Sequence, residues 1–103
     1  MYKQITHVEL DMLRGRQDVA IVDVRDEESF EQSHIPGAIH LTMDTLHDFI
    51  YSSDKNMPTV VYCYHGVTSQ SVAQLLVEAD FGCVYSLIGG FECWQNDHTR
   101  PED

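Results

Sequence analysis

An α/β domain with a parallel sheet flanked by helices is the fold this sequence predicts, on three observations. Short apolar runs rich in β-branched residues recur at Val19–Val24, Thr59–Tyr62 and Cys83–Leu87, each of strand length. Between them lie stretches whose apolar residues repeat at helical spacing. The chain has 103 residues, enough for one domain spanning 1–103, and 43% of them are hydrophobic, enough to fill a modest core. No linker, repeat or low-complexity stretch interrupts it.

Each element has its own justification. Thr6-x-x-Glu9 reads as a capping box opening a first helix that carries Leu10 and Leu13 and closes at Gly15. Val19–Val24 shows no polar alternation before Asp23, the pattern of a strand buried on both faces. Glu27–Gln32 is a short helix, and Asp44–Tyr51 another with Leu46, Phe49 and Ile50 inward. Pro58 announces the strand Thr59–Tyr62. A glycine-containing loop follows, then a helix opening on Ser69. Val72, Leu75, Leu76 and Ala79 fall at i, i+3, i+4 and i+7 and form its apolar face, leaving Ser69, Gln70, Ser71, Gln74 and Glu78 mostly outside. Cys83–Leu87 is the last clear strand. Gly89-Gly90 then turns the chain into a final helix with Phe91 and Trp94 on one face, an ordinary strand-to-helix turn rather than a phosphate loop.

This arrangement sets Cys63 at the carboxyl end of a strand, below a helix N-terminus, where open α/β sheets bind ligands. Gly66 lets the short loop take a positive φ, so its amides can turn inward on the sulfur. A free thiol with a pKa of about 8.5 is only about 3% thiolate at pH 7, whereas a pKa of about 6.5 makes it roughly three-quarters thiolate. That change costs about 2.7 kcal/mol. A helix N-terminus supplies about 0.3–1 kcal/mol and each charge-assisted N–H bond roughly 1.5–3, so the loop can activate the thiol without a basic side chain. None is at hand, because no Lys or Arg occurs between Lys55 and Arg100.

The other candidate groups have plainer readings. Cys83 and Cys93 are expected to pack, and an odd number of cysteines without a Cys-x-x-Cys pair argues against a disulfide framework or a zinc site. His34 and His40 with Cys63 could be drawn together as metal ligands, but Pro36-Gly37 between the histidines implies a turn, and neither a metal nor any other cofactor is expected. Arg25 is expected to anchor structure, through Glu28 or loop carbonyls, rather than to act with Asp23 as acid and base. With 17 acids against 6 bases the net charge is −11, which disfavours nucleic acid and anionic membranes as partners. No segment approaches membrane-spanning length and Met1–Gln4 opens no signal-like apolar run, so a cytoplasmic location is expected.

Three motifs in order carry a family resemblance. Ile21-Val22-Asp23-Val24-Arg25, with Glu28, Phe30 and His34-Ile35-Pro36-Gly37-Ala38-Ile39-His40-Leu41, is followed by the loop Cys63-Tyr64-His65-Gly66-Val67-Thr68. Val84-Tyr85-Ser86-Leu87 with Gly89-Gly90-Phe91 and Trp94 completes the set. Together they resemble the rhodanese family of sulfurtransferases. The resemblance implies a single rhodanese-like domain with a central five-stranded parallel sheet flanked by helices on both faces. It implies that Cys63 is the catalytic nucleophile, that it takes the outer sulfur of thiosulfate as a persulfide, and that cyanide or a thiol such as thioredoxin or glutathione then accepts it. Tyr64, His65, Gly66, Val67, Thr68 and Ser69 are the implied substrate-binding residues, with Thr68 and Ser69 as hydroxyl donors. A persulfide carrier, or an enzyme using another donor such as mercaptopyruvate, is the alternative. Phosphatases and arsenate reductases of the same fold need a longer loop ending in arginine, and here the sixth position after Cys63 is Ser69. Ser33 stands where the family usually has glycine before His-Ile-Pro-Gly-Ala, and Asp80 where many relatives close the helix with glycine.

Overall fold

The computed structural model describes residues 1–98; residues 99–103, including Arg100, lie outside the described residues. Five strands form one parallel sheet in the order β1-β5-β4-β2-β3. They are β1 (Lys3–Ile5), β2 (Ala20–Asp23), β3 (Ile39–His40), β4 (Thr59–Tyr62) and β5 (Val84–Leu87), joined through helices α1 (His7–Arg14), α2 (Glu27–Gln32), α3 (Met43–Ser52), α4 (Thr68–Glu78) and α5 (Gly90–His98). The three strands read from the sequence are there within a residue or two. The two-residue β3 and three-residue β1 are edge strands too short to carry a periodic signal, and only the family resemblance had implied them.

Two cores sandwich the sheet. On one face Leu10 of α1 and Phe91 and Trp94 of α5 pack with Ile5, Val60, Tyr62 and Leu87. On the other, Ala73 and Leu76 of α4 meet Val61, Phe81 and Val84, with Leu46, Phe49 and Ile50 of α3 packed alongside. Alternate residues of β4 serve opposite cores, which is why all four are buried.

The caps follow the local chemistry. Thr6 and Glu9 form the expected reciprocal capping box at α1. Asp80 takes the left-handed conformation at φ 74°, and the bonds Asp80 N–H to Val77 O and Phe81 N–H to Leu76 O complete a Schellman close of α4. Aspartate thus does the work of the glycine it replaces. Ser33 sits in extended backbone, φ −170°, which any residue adopts, so its departure from glycine is neutral.

One expectation needs correction. The inward stripe of α4 is Ser69, Ala73 and Leu76; Val72 is only half-buried and Leu75 is 42% exposed. The helix begins one residue earlier than read and is rotated so that its first turn faces the thiol. A polar first-turn residue therefore points inward, which an apolar-periodicity argument cannot find.

Candidate active site

The chain leaves β4, the middle strand of five, directly into Cys63, which is only 7% exposed. Its Sγ accepts the N–H groups of Gly66 and Ser69, each at 3.2 Å. The Val67 amide and the Ser69 hydroxyl also favour its charged form. Val67, at the N-cap of α4, offers no side-chain acceptor, so the cysteine sulfur takes the place that a serine or aspartate oxygen ordinarily fills. Burial is the largest single influence on the thiol and pushes its pKa up. Hydrogen bonds from the Ser69 hydroxyl and from the Ser69, Gly66 and Val67 amides together outweigh it, so the pKa lies below the ordinary thiol value.

The Ser69 hydroxyl is hydrogen-bonded to Ser86 Oγ on β5 at 2.8 Å, either oxygen able to donate, and both serines are fully buried beside the thiol. Ser86 was absent from the residues singled out by sequence. A signal did exist: a serine inside Val84-Tyr85-Ser86-Leu87 becomes a buried polar group, and such groups find partners.

The strand-to-helix turn after β5 buttresses the loop from below. Gly66 has φ +91°, and a Cβ there would approach the Gly89 nitrogen to 2.9 Å. Gly90 has φ +59°, and a Cβ there would come within 2.5 Å of the Tyr64 carbonyl oxygen. The close approach lets Phe91 N–H reach the Cys63 carbonyl at 2.8 Å and Glu92 N–H the Tyr64 carbonyl at 3.0 Å. Gly89-Gly90 is thus the tight turn expected, with the added duty of fixing the active-site backbone.

The predicted loop residues divide by role. Gly66, Val67 and Ser69 converge on sulfur. Tyr64 and His65 turn outward, their rings edge to face at 4.5 Å, and His65 Nδ1 lies 3.0 Å from Glu92 Oε1. Thr68 is exposed at the start of α4. Among the described residues, the N–H groups of Tyr64, His65 and Thr68 have no acceptor, so the loop retains donors beyond those already on sulfur.

The remaining candidates are structural. Arg25 makes a multidentate pair with Asp23, closest at 2.7 Å, and donates to the Ser33 carbonyl at 2.6 Å. The loop carbonyl was expected; the acid is Asp23 rather than Glu28. His34 and His40 stack on Phe30, and their ring nitrogens meet the carbonyls of Phe30 and Arg25. Cys93 packs against Gly89, and both Cys93 and Cys83 are half-buried.

A buried thiol whose pKa is lowered by backbone donors, at the carboxyl end of the central strand of a parallel α/β sheet, is the arrangement that a cysteine nucleophile requires. The chain belongs to the rhodanese-like family: the Rhodanese-like domain model matches residues 6–97. It is a sulfurtransferase of the rhodanese type. Among curated proteins it is 54% identical over 102 residues to thiosulfate sulfurtransferase GlpE of Coxiella burnetii, covering 99% of this chain and 95% of that one. Among solved structures, a rhodanese-like domain protein of Staphylococcus aureus matches at TM-score 0.78 and 32% identity over 98% of this chain and 99% of that one. A rhodanese-like domain from Anabaena sp. matches at TM-score 0.80 and 32% identity, covering 99% of this chain and 80% of that one.

Proposed function

We propose that this protein transfers the outer sulfur of thiosulfate to cyanide or a thiol through a persulfide on Cys63. The observation that carries the proposal is the set of loop donors on Cys63 Sγ, in a chain so similar to a thiosulfate sulfurtransferase. The thiolate attacks the outer sulfur, the S–S bond of thiosulfate breaks, and its electron pair leaves on sulfite. The persulfide anion that remains keeps one negative charge at the loop. Donors that held the thiolate continue to hold the inner sulfur, and the amides of Tyr64, His65 and Thr68 supply N–H groups for the outer sulfur and the departing sulfite. Cyanide or a thiolate then takes the outer sulfur and returns the electron pair to Cys63.

In this reading Gly66, Val67 and Ser69 hold the nucleophile, while Tyr64, His65 and Thr68 line the approach of the donor. His65 faces Glu92 rather than the sulfur, so its contribution is to donor affinity. Because the whole chain carries −11, attraction of a dianion has to be local to the loop. A thiolate cycle with thiol acceptors suits a reducing compartment, and we assign the protein to the cytoplasm; no helix of the described residues is long and apolar enough to cross a membrane.

Intact-protein mass spectrometry tests the proposal. Thiosulfate should add one sulfur atom, cyanide should remove it as thiocyanate, and Cys63→Ser should lose both steps while Cys83→Ala and Cys93→Ala keep most activity. Turnover retained in Cys63→Ser would overturn it.

A further inference from the structure

We propose that the cleft beside the Cys63 loop binds the body of a small acceptor thiol and favours neutral or cationic thiols over anionic ones. The inference rests on the sulfur-transfer reading above. The cleft encloses about 360 Å³, a volume suited to a small molecule. It joins the loop at Thr68, the residue before the Ser69 amide that holds Cys63 Sγ. From there it follows α4 one turn to Val72 and is walled by Met43 and Leu46 at the start of α3. Met43 is 77% exposed, an apolar side chain left at the mouth rather than drawn into the core.

Charge decides which thiol fits. Arg25 borders the cleft, but its guanidinium lies over the Phe91 ring, neutralised by Asp23 and bonded to the Ser33 carbonyl. The His40 ring is stacked on Phe30, with Nε2 on the Arg25 carbonyl. What remains uncompensated at the rim is acidic. Glu27 is exposed with no partner among the described residues, and Asp26 is kept ionised by hydrogen bonds from the Ser29 side chain and amide. An apolar thiol body therefore gains contact along the wall, a cationic group gains the carboxylates, and a carboxylate on the thiol is repelled.

The step balances. The acceptor thiolate attacks the outer sulfur of the Cys63 persulfide anion, the S–S bond breaks, and its electron pair returns to Cys63 Sγ as thiolate. The acceptor leaves as a persulfide anion, carrying the outer sulfur and its charge.

The test uses full-length protein loaded with thiosulfate and freed of excess. Its discharge is followed with cysteamine, 2-mercaptoethanol and mercaptoacetate at matched thiolate concentration, and with cyanide as an acceptor that has no body. At low salt cysteamine should outpace mercaptoacetate by roughly tenfold, a preference that weakens as salt screens the rim. Glu27→Lys, at an exposed position, should narrow or reverse that ratio. Met43→Trp should slow thiols more than cyanide. Discharge indifferent to thiol charge, with no response to Glu27→Lys, would overturn this proposal alone; failure of thiosulfate to load the enzyme would overturn the sulfur-transfer reading and this proposal with it.

Discussion

At the carboxyl end of β2, the fully buried Asp23 carboxylate meets the Arg25 guanidinium through three hydrogen bonds from Nε and Nη2, and the same Nη2 also donates to the Ser33 carbonyl. One strand over, at the end of β4, Cys63 Sγ accepts backbone amides, and the N–H groups of Tyr64, His65 and Thr68 beside it have no acceptor among the described residues. Both are polar groups at the same end of the same sheet. The first is closed: a charge matched by a charge, with the Arg25 guanidinium lying 4.1 Å from the centre of the Phe91 ring as a further lock. The second is open, with donors fixed in place before the charge they are to stabilise arrives. Preorganised donors of that kind favour reaction because no reorganisation is needed at the moment charge develops. A saturated pair has nothing left to offer a substrate, so it serves architecture.

Breaking the closed site should have the larger effect. Arg25→Met leaves Asp23 buried and unpaired, a loss of about 3–5 kcal/mol, against a total stability of about 5–15 kcal/mol for a domain of this kind. Denaturant unfolding should show it directly, and adding Asp23→Asn should recover part of the loss. If Arg25→Met instead keeps its stability and loses only turnover, the pair belongs to the chemistry and the β2 site is not merely architectural.

Ser86→Ala probes the open site from beneath, without touching the loop. Without Ser86 Oγ the Ser69 hydroxyl loses its 2.8 Å partner and is free to turn away from Cys63, whose charged form it favours, so the thiol pKa should rise. Alkylation at pH 7 should slow by roughly 2- to 10-fold, the equivalent of one hydrogen bond of about 0.5–1.5 kcal/mol. The sign fixes the pH profile. Because the folded pKa lies below the ordinary thiol value, reactivity is present above that lowered value and lost as pH falls through it; Ser86→Ala should move this limb upward. A profile unchanged in the variant would show that the amides alone set the titration.

The smallest effect is expected at His65. Its ring is directed to Glu92 and away from sulfur, so His65→Ala should leave the alkylation profile of Cys63 unchanged while raising KM for thiosulfate. An alkylation profile displaced upward would sharpen the comparison the other way, by making a side chain part of the open site after all.

The sequence by itself determined the layered α/β class, three of the strands, the presence of all five helices, and the thiol at a strand end under a helix N-terminus. These follow from local chemistry: β-branched runs, capping residues, and residues that tolerate a positive φ, glycine best and aspartate better than most. The positive φ of Gly66 and the left-handed Asp80 were legible for that reason. Tertiary structure alone decided the edge strands β1 and β3, which exist because a neighbouring strand offers them partners. It also decided that Ser69 faces inward to meet Ser86, seventeen residues away, and that Gly89-Gly90 presses on the loop carbonyls. It chose Asp23 over Glu28 as the partner of Arg25. Each of those facts depends on the distance between residues from different strands or helices, and that distance is set by packing the sheet and its helices together rather than by the spacing of residues along the chain.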